Sequence, residues 1–539
     1  MPYREVTVEN HRDALNEIRK FLEGYGDITL PVAYSGTGNG DIYKVAAPPP
    51  AVSEVWTLVC TLGGGSGVAT FSVTGSVSGA QAAATVGEFY DNGLIEFVIR
   101  DGATDFVVSD QFDITVTQGT WTLGTDEWVT NRYCPSPEPL ESAGNVDFPE
   151  HAFESNNATE TGRIGATSGQ LVFKFEDATA FVEYSIVSTI ANEAPNSWTL
   201  EWSDDSENGP WTVEDTQAGQ IFTAAETKTY AISSARHIWW RLNISSNNGS
   251  ADLQFGALRM RQSGQTVDTP SEASLLMQGQ GLAGLDEIYI GWKLDEDRFS
   301  PYYNWILKGM TNYESADPIE SQPGVLPEET RWVCDNNPMD LFMTATGRYL
   351  AVTGKIGTDY LNFHMGLLLP YSQPAEYSYP LVVLGNSHVA RHFNSTDVRL
   401  RQCYDTGEEA GYVRAPGGTW EVVQNFTSSI VTGRNVWPYN SPNGTTWGST
   451  QLDNITEALG GDYELWPCII MEGDVDPPEG NPSVLYDQII YGEIEGAYWV
   501  SGSNNSPENL VNIGPDEYIC FQNVFRTTFR DFYAIKKEA

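Results

Sequence analysis

Residues 230–244, YAISSARHIWWRLNI, decide the fold of the central part of this chain. Within HIWWRLNI (237–244), side chains alternate in the pattern of a strand that buries one face in a core. The nearby stretch LQFGALRM (253–260) alternates in the same way. Together the two stretches predict strands of an antiparallel β-sandwich. On the first strand, one face carries Ile238, Trp240, Leu242 and Ile244, and the other carries Trp239, Arg241 and Asn243.

The composition of the whole chain limits the class of protein. The 539 residues include 72 acidic and 29 basic side chains, so the formal net charge is −43. This charge argues against nucleic acid and anionic membranes as partners, because both need clustered Lys and Arg. Aromatic residues reach 12%, which is typical of globular rather than disordered chains. No apolar run reaches the ~18 residues of a membrane span, so we expect no membrane insertion.

Short strand-like runs separated by Gly-rich turns dominate the chain. They predict a mainly β, multi-domain protein of antiparallel sandwiches with one short N-terminal helix. Four parts are expected. They are an N-terminal helix and attachment segment (1–45), a small antiparallel β module (53–120), a β-sandwich (146–265) and a large β-rich structural domain (272–539).

The single helical pattern lies within residues 10–25, where Leu15, Ile18 and Leu22 fall on one apolar face. A helix this short is marginal in isolation and must dock on another surface. That surface is either the rest of this chain or a neighbouring subunit. For the second case we predict Leu15, Ile18 and Leu22 as interface residues.

The predicted sandwich contains a second distinctive stretch, APNSWTLEWSDD (194–205), which is followed by Trp211. With HIWWRLNI, it resembles the discoidin, galactose-binding-like family. The resemblance implies a β-sandwich whose loops at one end contact sugars or lipids, without fixing which loop residues bind. Trp239 and Arg241, on the outward face of the strand, are our candidate carbohydrate contacts. Packing of Trp239 against a neighbouring domain is the alternative, and we weigh it above ligand contact.

Acidic clusters supply the candidate chemistry. The turn with Asp204, Asp205 and Glu207 has the oxygen ligands that calcium prefers, although a solvated turn explains the same residues. The sequence suggests no cofactor other than calcium at this turn. Carboxylates in other loops could form the acid–base pair of a glycosidase. The alternative is that they are ordinary solvent-exposed loop residues. These carboxylates are Asp295, Asp297, Asp474 and Asp476. No nucleophile elbow, phosphate-binding loop or metalloprotease motif occurs, so we expect no enzyme.

Several longer strings resemble virion structural proteins of tailed bacteriophages, found among tail, baseplate and fibre-associated components. The opening helix HRDALNEIRKFLEGYG and the block from TFSVTG to QFDITV resemble parts of phage tail and decoration proteins. In the C-terminal half the resemblance rests on DEIYIG (286–291), TGRYLAVTGK (346–355), GEIEGAYWVSGSNN (492–505) and CFQNVFRTTFRDFYAIK (520–536).

This resemblance implies a structural virion component that assembles in the host cytoplasm. Its expected partners are copies of itself, other virion proteins and a host-surface glycan. The cysteines, with no C-x-x-C pair, and the absence of a signal-peptide pattern agree with assembly in a reducing compartment. Two alternatives stay open. One is a capsid or collar decoration protein, and the other is a carbohydrate-active enzyme that carries a binding module.

Overall fold

The chain, seen in a computed structural model, consists mainly of antiparallel strands, and the residues described contain one α-helix. The predicted fold class is therefore confirmed. All six cysteines are free thiols. The structure describes residues 3–118, 128–135, 137–140, 143–153, 161–263, 273–281, 287–297, 302–369, 381–393, 402–405, 410–415, 417–423, 436–437, 463–471, 490–502, 504–522 and 532–538.

The chain divides into two compact units, and neither is continuous in sequence. The first, here called the body unit, comprises Met1–Leu22, Thr120–Tyr133 and Ser274–Ala539. The second, the insert unit, comprises Glu23–Gly119 and Cys134–Ala273. The predicted attachment segment 1–45 is therefore wrong as one domain, because its first half belongs to the body unit and its second half to the insert unit.

The N-terminal strand and helix belong to the body unit. Strand β1 (Tyr3–Val8) pairs antiparallel with residues 339–344 of the C-terminal half, with Tyr3 opposite Thr344 and Val8 opposite Met339. Helix α1 (His11–Glu23) follows it directly, and the Asn10 side chain caps it by accepting hydrogen bonds from the backbone N–H groups of Arg12 and Asp13.

In the insert unit, residues 23–119 form what we call the small module. Its strand Glu54–Leu62 buries Trp56, Leu58 and Cys60 on alternate positions, as a strand with one face in a core must. One sheet has the order β2-β11-β5-β6-β7, with β3 on β11 and β8 on β6, and the other has the order β4-β10-β9. The strands are β2 (Asp27–Ile28), β3 (Ala33–Ser35), β4 (Asp41–Ala46), β5 (Glu54–Leu62), β6 (Thr70–Gly75), β7 (Gly79–Ala80), β8 (Ala84–Thr85), β9 (Phe89–Asp91), β10 (Glu96–Arg100) and β11 (Gln111–Thr117).

Residues 134–273 of the insert unit form the sandwich module. Its five-stranded sheet has the order β13-β15-β20-β17-β18, its three-stranded sheet has the order β19-β16-β22, and β14 pairs with β21. The chain reaches it through β12 (Trp128–Cys134), and a 3-10 helix spans Pro149–Phe153. The strands are β13 (Glu138–Pro139), β14 (Thr161–Arg163), β15 (Gly169–Thr179), β16 (Glu183–Val187), β17 (Pro195–Ser203), β18 (Thr212–Gln217), β19 (Thr227–Ala231), β20 (His237–Asn247), β21 (Leu253–Phe255) and β22 (Ala257–Arg261).

The core of the sandwich module contains three of the four residues that the alternation predicts on β20, and the fourth, Ile238, packs with Trp239 outside this cluster. Trp240, Leu242 and Ile244 on β20 are at most 1% exposed and pack in one cluster with Trp198 of β17. The Trp198 indole N–H donates to the Tyr184 hydroxyl (2.9 Å), which in turn donates to Asp215 (2.7 Å). This chain of hydrogen bonds joins the two sheets, because Tyr184 lies on β16 and Asp215 on β18.

The described residues of the body unit form three sheets. Their orders are β1-β27-β28-β29-β30-β31-β32, β12-β23-β24-β25-β26 and β33-β34-β35-β38-β37-β36. The remaining strands are β23 (Ser274–Gly279), β24 (Ile288–Asp297), β25 (Tyr302–Met310), β26 (Thr330–Cys334), β27 (Met339–Thr346), β28 (Tyr349–Ile356), β29 (Asp359–Leu367), β30 (Leu381–Leu384), β31 (Gly411–Arg414), β32 (Trp420–Val422), β33 (Val436–Trp437), β34 (Leu465–Met471), β35 (Ile490–Val500), β36 (Leu510–Ile513), β37 (Asp516–Gln522) and β38 (Phe532–Glu538).

The seven-stranded sheet is the middle layer of the body unit. On β29, Phe363 packs against Trp332 of the five-stranded sheet, with ring centroids 5.0 Å apart. Tyr360, on the opposite face, packs against Phe521 of the six-stranded sheet at 5.6 Å. Because both faces are covered, eight consecutive residues of β29 are buried instead of alternate ones.

Candidate functional site

One end of the sandwich module is covered by the small module, and this junction contains the predicted ligand residue Trp239. Its indole stacks on the Tyr43 ring, with centroids 5.5 Å apart and planes 24° apart, and it is only 5% exposed. Val98, Ala178 and Ile238 complete the same apolar cluster. The expectation that Trp239 is an exposed carbohydrate contact is therefore corrected, since the neighbouring module occupies the face that a sugar would need.

Arg241, the second predicted carbohydrate contact, is held by its own module. Its guanidinium pairs with Glu201 of β17 and lies 4.5 Å from the centre of the Trp211 ring. Asn243 also donates to Glu201, at 3.3 Å. These contacts fix the outward face of the five-stranded sheet, so the structure gives Arg241 a structural role.

The predicted calcium turn also belongs to the junction. Asp204 is 1% exposed, and its carboxylate accepts hydrogen bonds from the backbone N–H groups of Ile238 (3.0 Å) and Phe89 (3.1 Å). It also bonds the His237 ring at 2.9 Å. The expectation that Asp204 is a calcium ligand is corrected by these bonds, which give it the role of linking the two modules.

The neighbours of Asp204 in the same turn lie differently. Asp205 accepts a hydrogen bond from the backbone N–H of Asp101 in the small module (3.1 Å). Its burial, and to a smaller extent the negative charge of Asp101, raise the pKa of Asp205. Glu207 lies further along the turn and is partly exposed. Among the residues that the structure describes, no group of three His, Cys, Asp or Glu side chains is arranged to hold a metal.

Ion pairs complete the junction. Arg236 of the sandwich module pairs with Glu96 of the small module at 2.7 Å, and Lys44 pairs with Glu176 at 3.0 Å. Burial raises the pKa of Glu96 despite its pairing with Arg236. The small and sandwich modules are thus joined by apolar packing, buried hydrogen bonds and charge pairs together.

The opposite end of the sandwich module is made of four connected loops. We call it the loop end and define it by residues 164–168, 188–194, 218–226 and 248–252. Hydrogen bonds tie the loops together, from Gly165 N–H to Asp252 (2.6 Å), from Ser250 N–H to the Asn192 carbonyl (3.0 Å) and from the Ser188 hydroxyl to the Thr223 carbonyl (2.5 Å).

The loop end exposes one isoleucine from each of three loops. Ile164 is 80% exposed, Ile221 73% and Ile190 41%. Single exposed apolar residues are common on proteins, and these three lie on loops that hydrogen bonds join at the same end of the module. Polar groups lie among them, since Asn192 is exposed and the Asn196 amide donates to the Gln220 carbonyl (3.0 Å).

Sequence reasoning did not find these isoleucines. The signal was present, because each is a large apolar residue within a stretch of Gly, Ser, Thr, Asn or Gln, in RIGATSG, STIANE and GQIFT. Without the fold, however, nothing in the sequence places the three loops at the same end of a sandwich.

The helical residues predicted to form a subunit interface lie inside the body unit. Leu15, Ile18 and Leu22 are at most 2% exposed. The helix packs beside the five-stranded sheet, where the Trp305 indole donates to the His11 carbonyl at 3.0 Å. The prediction of an interface with a neighbouring subunit is therefore wrong for these three residues, because their own chain buries them.

The acidic residues considered as a glycosidase pair are only partly described. Asp295 on β24 pairs with the Arg331 guanidinium at 2.5 Å, which gives it a structural partner. The side chain of Asp297, and Asp474 and Asp476 entirely, lie outside the described residues. No helix within the described ranges has the length and apolar character needed to cross a membrane.

Comparison with known proteins yields no family. No protein-family model matches the chain, and no curated protein matches it. Solved structures with some likeness include a truncated AlyQ with CBM32 and alginate lyase domains, at 7% identity and a TM-score of 0.20, covering 44% of this chain and 80% of that one. Another is allantoicase from Saccharomyces cerevisiae, at 9% identity and a TM-score of 0.15, with the same coverage. At these TM-scores neither likeness supports a conclusion about this chain.

Proposed function

We propose that this chain is a structural component of a tailed-phage virion, associated with the tail, baseplate or fibre, and that it attaches to a host-surface glycan through the loop end. The sequence resemblance to virion proteins supports the first part. The second part is supported by one observation above all, the exposure of Ile164, Ile190 and Ile221 on loops that hydrogen bonds hold together. In this proposal the protein binds and positions its partners and catalyses nothing.

The chemistry of the loop end suits a neutral ligand. Its charged side chains are few, and all three of them, Glu193, Glu226 and Asp252, are acidic, which disfavours an anionic ligand. Sites for small polar ligands combine apolar contact area with a few placed polar groups. The isoleucines offer the contact area for the C–H faces of a sugar, and amides such as Asn192 offer hydrogen bonds to its hydroxyl groups.

The particle location is tested by labelling. Gold-labelled antibodies against this chain, applied to intact particles, should decorate the tail, baseplate or fibres in electron micrographs. Label on the capsid or collar would support the decoration alternative, and particles without label that also lack the chain by mass spectrometry would contradict a virion role.

The attachment role is tested with purified full-length chain on an array of host-surface polysaccharides. Ile164→Asp and Ile221→Asp should each lower glycan affinity at least about tenfold, because a charge replaces apolar contact. Val213→Asp is the matched control, since Val213 is 53% exposed on β18 of the same module but outside the four loops. Equal binding by all variants, or turnover of the polysaccharide, would contradict the proposal.

A further inference from the structure

Strand β19 (Thr227–Ala231) is an outer strand of the three-stranded sheet in the sandwich module. On one side it pairs with β16, in a register that runs without interruption from Thr227 opposite Val187 to Ala231 opposite Glu183. Among the strands that the structure describes, none pairs with its other side. The backbone groups on that side therefore decide what this edge of the sheet can bind.

Two hydrogen bonds just beyond the strand show which residues bond β16. The Ser188 N–H donates to the Glu226 carbonyl (2.8 Å), and the Ile232 N–H donates to the Val182 carbonyl (2.9 Å). In an antiparallel pair, the residues that bond the neighbouring strand recur at every second position. The even-numbered residues of β19 therefore bond β16, and the odd-numbered residues direct their backbone N–H and C=O groups to the open side.

The three odd-numbered residues also have exposed side chains. They are Thr227, Thr229 and Ala231. The even-numbered side chains point into the module instead. The Lys228 ammonium lies 4.9 Å from the centre of the Phe222 ring, and the Tyr230 ring stacks on Tyr184. The open edge thus presents backbone donors and acceptors beside small, uncharged side chains.

The other outer strands of the two main sheets carry features that block the addition of a further strand. β13 has two residues and ends in Pro139, which lacks an N–H group. β18 is interrupted by a bulge and carries Glu214 and Asp215. β22 packs against the 3-10 helix Pro149–Phe153. In contrast, β19 has a regular register, no proline and no outward charge, so it is the edge best suited to strand pairing.

We propose that β19 is an interface between two copies of this chain, whose β19 strands pair antiparallel about a two-fold axis at Thr229. In this register Thr229 lies opposite Thr229 of the second copy, and Thr227 lies opposite its Ala231. Every outward N–H and C=O group of the three odd-numbered residues then has a partner, and the two three-stranded sheets become one continuous sheet. This inference goes beyond the proposed attachment role and does not depend on it.

The side chains of β19 match in this register, which favours a second copy as the partner. The outward pairs are threonine with threonine and threonine with alanine, and cross-strand threonine pairs are favourable. On the inner face, Lys228 lies opposite Tyr230 of the second copy, a pairing of a cation with an aromatic ring. No like charges therefore face each other within the paired strands, although each chain has a net charge of −43.

Sedimentation equilibrium of the full-length chain tests the pairing. One pair of short strands makes a small interface, so we expect a dissociation constant of about 10–100 µM and an apparent mass that rises from one chain to two with concentration. Raising NaCl from about 50 mM to about 500 mM should tighten the dimer several-fold, because salt screens the repulsion between two acidic chains.

Variants of Thr229 test the position of the interface. Thr229→Lys should weaken the dimer at least about fivefold, because it places two like charges opposite each other. Thr216→Lys is the matched control, since Thr216 is exposed on β18 and the change adds the same charge outside the proposed interface. Thr229→Pro should remove the dimer and keep the melting temperature of the insert unit within about 4 °C, because the lost N–H points outward and does not bond β16.

Loss of the dimer in both Thr229 variants, with Thr216→Lys unchanged, would support pairing through β19. A single-chain mass at about 500 µM, well above the expected dissociation constant, would overturn the proposal. A dimer that Thr229→Lys leaves as tight as before would overturn it too, because the two copies would then meet through another surface. Equal weakening by Thr229→Lys and Thr216→Lys would also overturn it, since the effect would follow the added charge and not its position.

Discussion

Replacing Trp239 with Ala tests the junction between the small and sandwich modules. A buried Trp removes about 200 Å² from water, worth about 5 kcal/mol at about 25 cal/mol per Å². Truncation of a core Trp usually costs about 3–5 kcal/mol. We expect about 3 kcal/mol here, because the stacking partner Tyr43 is itself partly exposed. For a unit of this size, that lowers the melting temperature by about 6–12 °C.

Differential scanning calorimetry of the full-length chain measures this effect on the transition of the insert unit. Val213→Ala is the control and should change stability by less than about 0.5 kcal/mol. The double variant with Tyr43→Ala should show a coupling of about 1 kcal/mol, because the two rings stack on each other. A melting-temperature shift below about 2 °C for Trp239→Ala would refute the reasoning. Loss of glycan binding at unchanged stability would also refute it, because Trp239 would then be a ligand contact.

Three further predictions concern buried groups elsewhere. Ile18→Asp should destabilise the body unit by several kcal/mol, because it buries a charge in an apolar site, and circular dichroism melts should show it. Burial alone would raise the pKa of Asp110, but hydrogen bonds from backbone N–H groups to its carboxylate lower it. Asp110→Asn should therefore cost about 2 kcal/mol of stability at pH 7, and progressively less as the pH falls below about 4. Urea unfolding at a series of pH values measures this loss. The raised pKa of Glu96 predicts the opposite trend: its contribution to stability is full at acid pH and is lost as the pH rises through the raised pKa. Glu96→Gln should therefore flatten this part of the dependence of stability on pH.

The alternation of HIWWRLNI predicts a sandwich strand and the faces of its residues, except for Ile238, which packs with Trp239 at the junction instead of in the core. Trp240, Leu242 and Ile244 enter the core because a strand buries alternate residues, and this pattern is local. Trp239 was placed on the correct face. Its covering partner Tyr43 lies almost 200 residues earlier in the sequence, so no local pattern could reveal that the small module buries it.

The position of the N-terminus was missed for the same reason. The amphipathic pattern of helix α1 correctly indicated a helix with a buried face, and Leu15 and Ile18 are indeed buried. Strand β1, however, pairs with β27 in the C-terminal half, and that pairing is visible only in the fold. The first half of the predicted attachment segment therefore belongs to the body unit, and the second half belongs to the insert unit.

The candidate site was harder to predict than the fold. The resemblance of APNSWTLEWSDD and HIWWRLNI to a sugar-binding family implied loops at one end, without the residues. The exposed Ile164 and Ile221 depend on side-chain exposure in the fold, which the sequence does not state. Acidic clusters such as Asp204 and Asp205 were conspicuous in sequence, yet the junction uses Asp204 for hydrogen bonds between modules.

A reconstruction of the intact particle at side-chain resolution tests the central claim most directly. It should contain this chain in the tail, baseplate or fibre, with Ile164, Ile190 and Ile221 directed away from the particle and uncovered by other virion proteins. A particle map in which another subunit covers these isoleucines, or in which the chain is absent, would contradict the account.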